Sequence, residues 1–254
     1  MKKIILITGN QLNYESGIIE NYFDSFEKEE KELNKTISNL YISQFYKFPN
    51  YVHIKLFEFI KKYKDKLIHY DQSVYNFWDS LNHFDLRRLE GNINQIKCLN
   101  CNRIFSLKKI GNKKECPKCK SDKLINNLLF KNSNVNQYKV LLEDIGFKTM
   151  KNLFFQIKND VHEISNKQEK NNIWNVDLRN NNEYIIIVIG YNEEIIELNN
   201  FFKDAIKLKP QNYKVFSLNM LNLEEEKFTY FKNSNLLSND IDEFLLIIEK
   251  EINI

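Results

Sequence analysis

Apolar positions along this chain follow two rhythms. Short continuous apolar runs occur at Lys3 to Thr8, Lys66 to His69, Leu128 to Phe130, Tyr184 to Ile189 and Val215 to Leu218. Runs of that length fit strands buried on both faces, as in a parallel sheet. Between them the pattern is helical. Residues 17–48 are rich in Glu and Lys. Pro49-Asn50 opens an amphipathic helix through Lys62 whose apolar set is Val52, Leu56, Phe59 and Ile60. Pro suits a helix start and Asn a cap. Residues 131–183 are polar and helix-prone, with apolar positions at Leu141, Leu142, Ile145, Leu153 and Phe154. Further helices are expected from Glu193 to Ala205 and from Asp240 to Glu251. Strands alternating with helices predict an α/β fold, a Rossmann-like parallel sheet with helices on both faces and right-handed crossovers. Ligands in such sheets bind beyond the carboxyl ends of the strands. The turns after Thr8, His69, Gly190 and Leu218 are expected to line that edge.

The chain has 254 residues, which accommodates one large domain or a domain with a small module. Its net charge of +3 is a slight excess and, taken over the whole chain, does not point to a nucleic-acid partner or an anionic membrane. No apolar run approaches the roughly 20 residues that span a bilayer. The opening run ends at Thr8-Gly9 and is too short for a secretory segment. An intracellular, cytoplasmic setting is expected, with the nucleus also compatible.

The cysteines change the picture most. There are four, in two pairs, Cys98-Leu99-Asn100-Cys101 and Cys116-Pro117-Lys118-Cys119, with 14 residues between the pairs. A CxxC turn aims two thiolates at one point, and two such turns supply the four soft ligands of a tetrahedral zinc. Residues 91–125 are therefore read as a zinc ribbon. The flanking segments, 1–90 and 126–254, form the Rossmann-like domain, with a helical segment at 17–66 and an insertion at 131–183. Four thiolates leave no open position for substrate, so the metal is structural.

The order of these pieces resembles the sirtuin family of NAD-dependent protein deacylases. Thr8-Gly9 through Ser16-Gly17-Ile18 resembles the family's TGAGxSxxSGI segment, and Pro49-Asn50, His53 and Leu56 resemble its PNxxHxxL helix. Asp71 to Tyr75 falls on the TQNID segment, Leu89-Glu90-Gly91 on LHG, and the CxxC pairs follow in place. Tyr184 to Asn192 resembles the DLxLVIGTS strand and turn, and Val215 to Asn219 resembles VVxIN. The resemblance implies a Rossmann-like domain for NAD, a zinc module above it, and an acylated-lysine peptide between them. It places Gly9, Asn10, Gln11, Gln72, Gly190, Asn192 and Asn219 at the cofactor and Glu90 with Gln72 at the chemistry.

The same comparison shows where the chain departs from the pattern. Glu90 stands where the family has its general-base His. Ser73 and Tyr75 stand where it has an Asn and an Asp, and Asn10-Gln11 replace Ala-Gly in the phosphate loop. These changes point to a sirtuin-like protein that has lost the standard deacylase chemistry and acts as a binding or regulatory protein, with NAD or ADP-ribose as its ligand. Two alternatives stand beside it. One is a divergent active enzyme, a lysine deacylase or protein ADP-ribosyltransferase with Glu90 as base. The other is a zinc-ribbon adaptor for nucleic acid or protein, motivated by the ribbon's lysines. A solvated or salt-bridged Glu90 near Arg87 and Arg88 is the plain alternative to a catalytic one.

Overall fold

A computed structural model describes residues 2–13, 47–110, 115–128, 136–149, 174–176, 181–191, 198–218 and 241–253. Five parallel strands form the main sheet: β1 (Lys2–Thr8), β2 (Leu67–Asp71), β3 (Arg87–Arg88), β9 (Glu183–Ile189) and β10 (Tyr213–Leu218). Their order is β3-β2-β1-β9-β10. The chain thus builds outward from β1 in one direction and later returns to build in the other, so strand order reverses between β1 and β9. That reversal is where doubly wound sheets open their ligand crevice.

Strand alternation distributes the core to two faces. Ile5 and Ile7 of β1 join Tyr70, Ile186, Val188 and Val215 in one cluster. It is covered by α4 (Asn136–Asp144) and α5 (Leu198–Leu208), through Leu141, Leu142, Leu198 and Phe202. Ile4 and Leu6 face the other way with Ile185, Ile187 and Phe216, under α1 (Tyr51–Lys62) and α6 (Ile241–Asn253). The expected apolar stripe of α1 is the buried one, Val52, Leu56, Phe59 and Ile60.

A second sheet is antiparallel, with order β5-β4-β6 for β4 (Gly91–Cys98), β5 (Ile104–Ser106) and β6 (Leu124–Leu128). Gly91 is the pivot into it. Its φ is +94°, and a Cβ there would lie 2.0 Å from the backbone oxygen of Asn127. Two short helices, α2 (Phe77–Ser80) and α3 (Leu107–Ile110), and a two-stranded sheet of β7 (Phe147–Thr149) and β8 (Trp174–Val176) complete the described structure.

Some boundaries differ from the sequence expectation. β2 runs on to Asp71 because Tyr70 and Asp71 pair with Arg87 and Arg88 of β3, a two-residue strand whose sequence carries no apolar signal. The sheet edge therefore begins after Asp71, not His69. The strand after the ribbon is described at Leu124–Leu128, where it pairs with β4 in the small sheet, and Leu129 and Phe130 lie outside the described residues. Helix α5 is described from Leu198 on, and residues 192–197 lie outside the described residues. Leu153, Phe154, Ser16 to Ile18, Phe130, Asn192 and Asn219 lie outside the described residues. Among the described residues no helix is long and apolar enough to cross a membrane.

Candidate functional site

The carboxyl edge of the main sheet gathers polar side chains that are nearly all buried: Thr8, Gln11, Asn13, Asp71, Gln72 and Ser73. At the reversal between β1 and β9 the backbone closes on itself. The Gly9 N–H donates to the Ile189 carbonyl at 2.9 Å, and the Gln11 N–H donates to the Gly190 carbonyl at 3.1 Å. Residues Asn10–Asn13 form a 3-10 turn across the gap. Gly9 is required by close approach, since a Cβ would sit 2.1 Å from the Gly190 oxygen. Gly190 is required by its backbone, with φ at +60° and Leu12 packed against its α-carbon. The side-chain amide nitrogen of Asn10 is buried and has no hydrogen-bond partner among the described residues.

Helix α1 holds this turn in place. Asn50 caps the helix, its Oδ1 accepting from the His53 N–H at 3.1 Å, while its Nδ2 donates to the Leu12 carbonyl at 2.7 Å. His53 Nδ1 lies 2.7 Å from the same Asn50 Oδ1, so this histidine fixes the cap and sits against Trp78. Burial holds its pKa down to about 3, so it is neutral at ordinary pH.

The segment after β2 is tied from both sides. The Gln72 N–H donates to the Thr8 carbonyl at 2.8 Å, and Gln72 is fully buried. Asn13 donates to Ser73 Oγ at 2.9 Å. Arg88 organises the loop from beneath: it donates to the Tyr75 carbonyl at 2.8 Å and pairs with Asp79 at 2.9 Å, with Asp71 at 3.5 Å. Asp71 also receives the Thr8 hydroxyl at 2.8 Å. Burial raises the Asp71 pKa to about 6 against the pull of Arg88 and Thr8.

A feature that sequence reasoning missed runs inward from here. Thr8 Oγ1 lies 2.8 Å from His69 Nε2, and His69 Nδ1 lies 2.9 Å from His83 Nε2. With Asp71 ionised, one arrangement satisfies every link: His83 donates to His69, His69 to Thr8, and Thr8 to Asp71. The signal was available only as a polar His in the middle of a buried strand, which gives no partner.

Glu90 is 1% exposed and accepts a hydrogen bond from the Tyr138 hydroxyl at 2.9 Å. Tyr138 comes from α4, is fully buried, and is also bonded to Tyr191, next to Gly190. The expectation of a solvated Glu90 is therefore corrected. Arg87 pairs instead with Asp144 and Arg88 with Asp79, because both arginines lie on β3 while the chain turns at Glu90 toward the core.

The four cysteines converge. Their sulfurs lie within 4.8 Å of one another, with 3.6 Å between Cys98 and Cys119 and 3.7 Å between Cys101 and Cys116. A zinc with four Zn–S bonds of about 2.3 Å requires sulfur separations of about 3.8 Å, so the donor set fits a structural zinc. The two knuckles are built alike. The Cys98 N–H donates to the Arg103 carbonyl and the Cys116 N–H to the Ser121 carbonyl, each five residues on. Asn102 and Lys120, each just past its second cysteine, have φ of 55° and 62°. The Asn100 side chain and the Ser121 backbone hold the Cys119 thiol down to about 6, favouring the ligand form.

A doubly wound sheet of this strand order, carrying an antiparallel four-cysteine module between β3 and the later strands, defines a Rossmann-like protein with a zinc ribbon. This is the sirtuin (Sir2) fold, and solved structures match it over nearly the whole chain. Sir2 in complex with the inhibitor EX-527, 2′-O-acetyl-ADP-ribose and a deacetylated p53 peptide is 13% identical, covers 98% of this chain and 94% of its own, and superposes with a TM-score of 0.59. A Sir2 homologue complexed with ADP-ribose is 13% identical, with 99% and 94% covered and a TM-score of 0.59. Sir2 with p53 peptide and NAD+ is 14% identical, with 98% and 93% covered and a TM-score of 0.55. No family model and no curated protein matches the sequence.

Proposed function

We propose that this protein is a sirtuin-fold binding or regulatory protein that does not carry out NAD-dependent deacylation and that takes ADP-ribose or NAD as a ligand. The observation that carries the reading is the burial of Glu90 against Tyr138. A general base must reach the proton it removes, directly or through one water. Glu90 is 1% exposed and its Oε1 is taken by the Tyr138 hydroxyl, which withdraws it from that role.

The phosphate loop supports the same reading. Glycine-rich loops hold phosphate by presenting free backbone N–H groups. Here the Gly9 and Gln11 N–H groups are given to the Ile189 and Gly190 carbonyls. These two groups are therefore not free to form the standard backbone cradle. What this edge offers in its place is a side-chain donor, the buried amide of Asn10, at the reversal point of the sheet. The bound ADP-ribose and NAD+ of the fold relatives motivate the choice of ligand.

Two measurements on zinc-loaded protein test the proposal. Incubation with NAD and an acetylated peptide is expected to release no nicotinamide above a no-enzyme control. Thermal unfolding is expected to shift upward saturably with ADP-ribose, and the Asn10→Ala variant to lose that shift. Nicotinamide release would overturn the catalytic half, and no shift up to millimolar ligand would remove the ligand half.

A further inference from the structure

The net charge of the chain hides a separation. Residues 91–128 hold nine Lys and Arg against two Asp and Glu, a net of +7. The rest of the chain holds 28 against 32, a net of −4. The zinc with its four thiolates carries two negative charges, which still leaves the module at +5. Six of the cations, Arg103, Lys108, Lys109, Lys118, Lys120 and Lys123, are exposed. None of the six makes an ion pair with a described residue, whereas Lys55, Lys62, Lys139 and Lys214 on the main domain do. Lys120 also occupies a left-handed backbone position, φ 62°, that favours glycine or asparagine. A lysine there carries a backbone cost.

We infer that the zinc module is a polynucleotide-binding surface, engaging the phosphate backbone of DNA or RNA largely without regard to sequence. A small module carrying unneutralised cations gains affinity by releasing the counterions condensed on a polyphosphate. An acidic protein would be attracted by the same charge. It is disfavoured because eight of the nine cations are lysines, a residue depleted from protein–protein interfaces, where arginine and aromatics are enriched. Ile104 and Ile125 flank Lys97 across the exposed sheet and give bases an apolar surface to rest on. This surface lies on the opposite side of Gly91 from Glu90 in the chain, and the inference does not depend on the nucleotide reading above.

The test is fluorescence anisotropy of full-length, zinc-loaded protein with a labelled 25-nucleotide single strand and a 25-base-pair duplex, from 50 to 300 mM salt. Saturable binding is expected, with log K falling against log salt at a slope between about −3 and −5 for the duplex, since each neutralised phosphate contributes about −0.9. The triple variant Lys108→Glu, Lys109→Glu, Lys120→Glu is expected to retain its zinc, weaken binding at least tenfold at 100 mM salt and flatten the slope by about 3. Lys64→Glu, on the main domain, is expected to leave both unchanged. Absence of saturable binding at 50 mM salt would overturn the inference, as would equal loss in Lys64→Glu. Polyglutamate competing as well as the polynucleotide would also overturn it and assign the surface to an acidic protein.

Discussion

The Tyr138 hydroxyl donates to Glu90 Oε1 at 2.9 Å, with both residues buried and 48 positions apart in the chain. The bond joins α4 to the turn that leads into the zinc module. It also converts the position where the resemblance expects catalytic chemistry into part of the core.

Removing the donor tests this conversion. Tyr138→Phe leaves a buried carboxylate short of a hydrogen bond and is expected to destabilise the protein by about 1–3 kcal/mol. Glu90→Gln should cost less in the Tyr138→Phe background than in the native one, because the hydrogen bond it would disturb is already gone. Urea unfolding of the four proteins in a double-mutant cycle measures the coupling. Zero coupling would mean the pair does not act as a unit.

Gly9 offers a second check. Gly9→Ala places a methyl 2.1 Å from the Gly190 oxygen, a backbone atom that cannot swing aside. The expected outcome is a loss of at least about 2 kcal/mol with or without ADP-ribose, as for overpacking in a fixed core. A variant of native stability that only loses ligand affinity would show that the glycine serves the phosphate instead.

Metal analysis should find one zinc per chain, bound by Cys98, Cys101, Cys116 and Cys119. Cys116→Ser or chelation is expected to unfold the 91–128 module, because its three short strands bury little apolar surface of their own and metal binding supplies the folding free energy. Backbone NMR or hydrogen exchange should show protection lost there first and retained in β1 and β9. Protection unchanged after complete zinc removal would contradict a structural metal.

The buried histidines give the stability a pH dependence of definite sign. His53 is held down to about 3 and His69 well below its usual value, both by burial first. Their contribution is present above pH 6.5 and is lost as pH falls through the folded values. Asp71 is raised to about 6, so its contribution runs the other way: it is present below pH 3.8 and lost as pH rises through 6. His83, beside His69, is also held below its usual value by burial, so three histidines oppose one aspartate between pH 6 and 5. Stability is expected to fall on acidification across that range. Chemical denaturation across pH 5 to 7.5 measures this, and His69→Gln should reduce the slope. A rise in stability toward pH 5 would mean that Asp71 dominates.

How much of this was readable from residues alone divides along physical lines. The sequence determined what local chemistry determines. The apolar runs of β1, β9 and β10 had to be buried strands, the stripe on α1 had to face a core, and two CxxC turns had to meet at one metal. Each of those signals lies within a few residues, and the motifs kept their order along the chain. Tertiary structure alone decided the long-range matters. Residues 61 and 63 positions away place His69 and Asp71 on Thr8. Tyr138 reaches Glu90 across 48 positions, and the Ile189 and Gly190 carbonyls take the N–H groups of Gly9 and Gln11. Buried polar groups must find partners, and which partner each one finds depends on which strands lie side by side. A period of two or 3.6 in the sequence says which side of an element faces inward. It does not say which residues from elsewhere in the chain will be there to meet it.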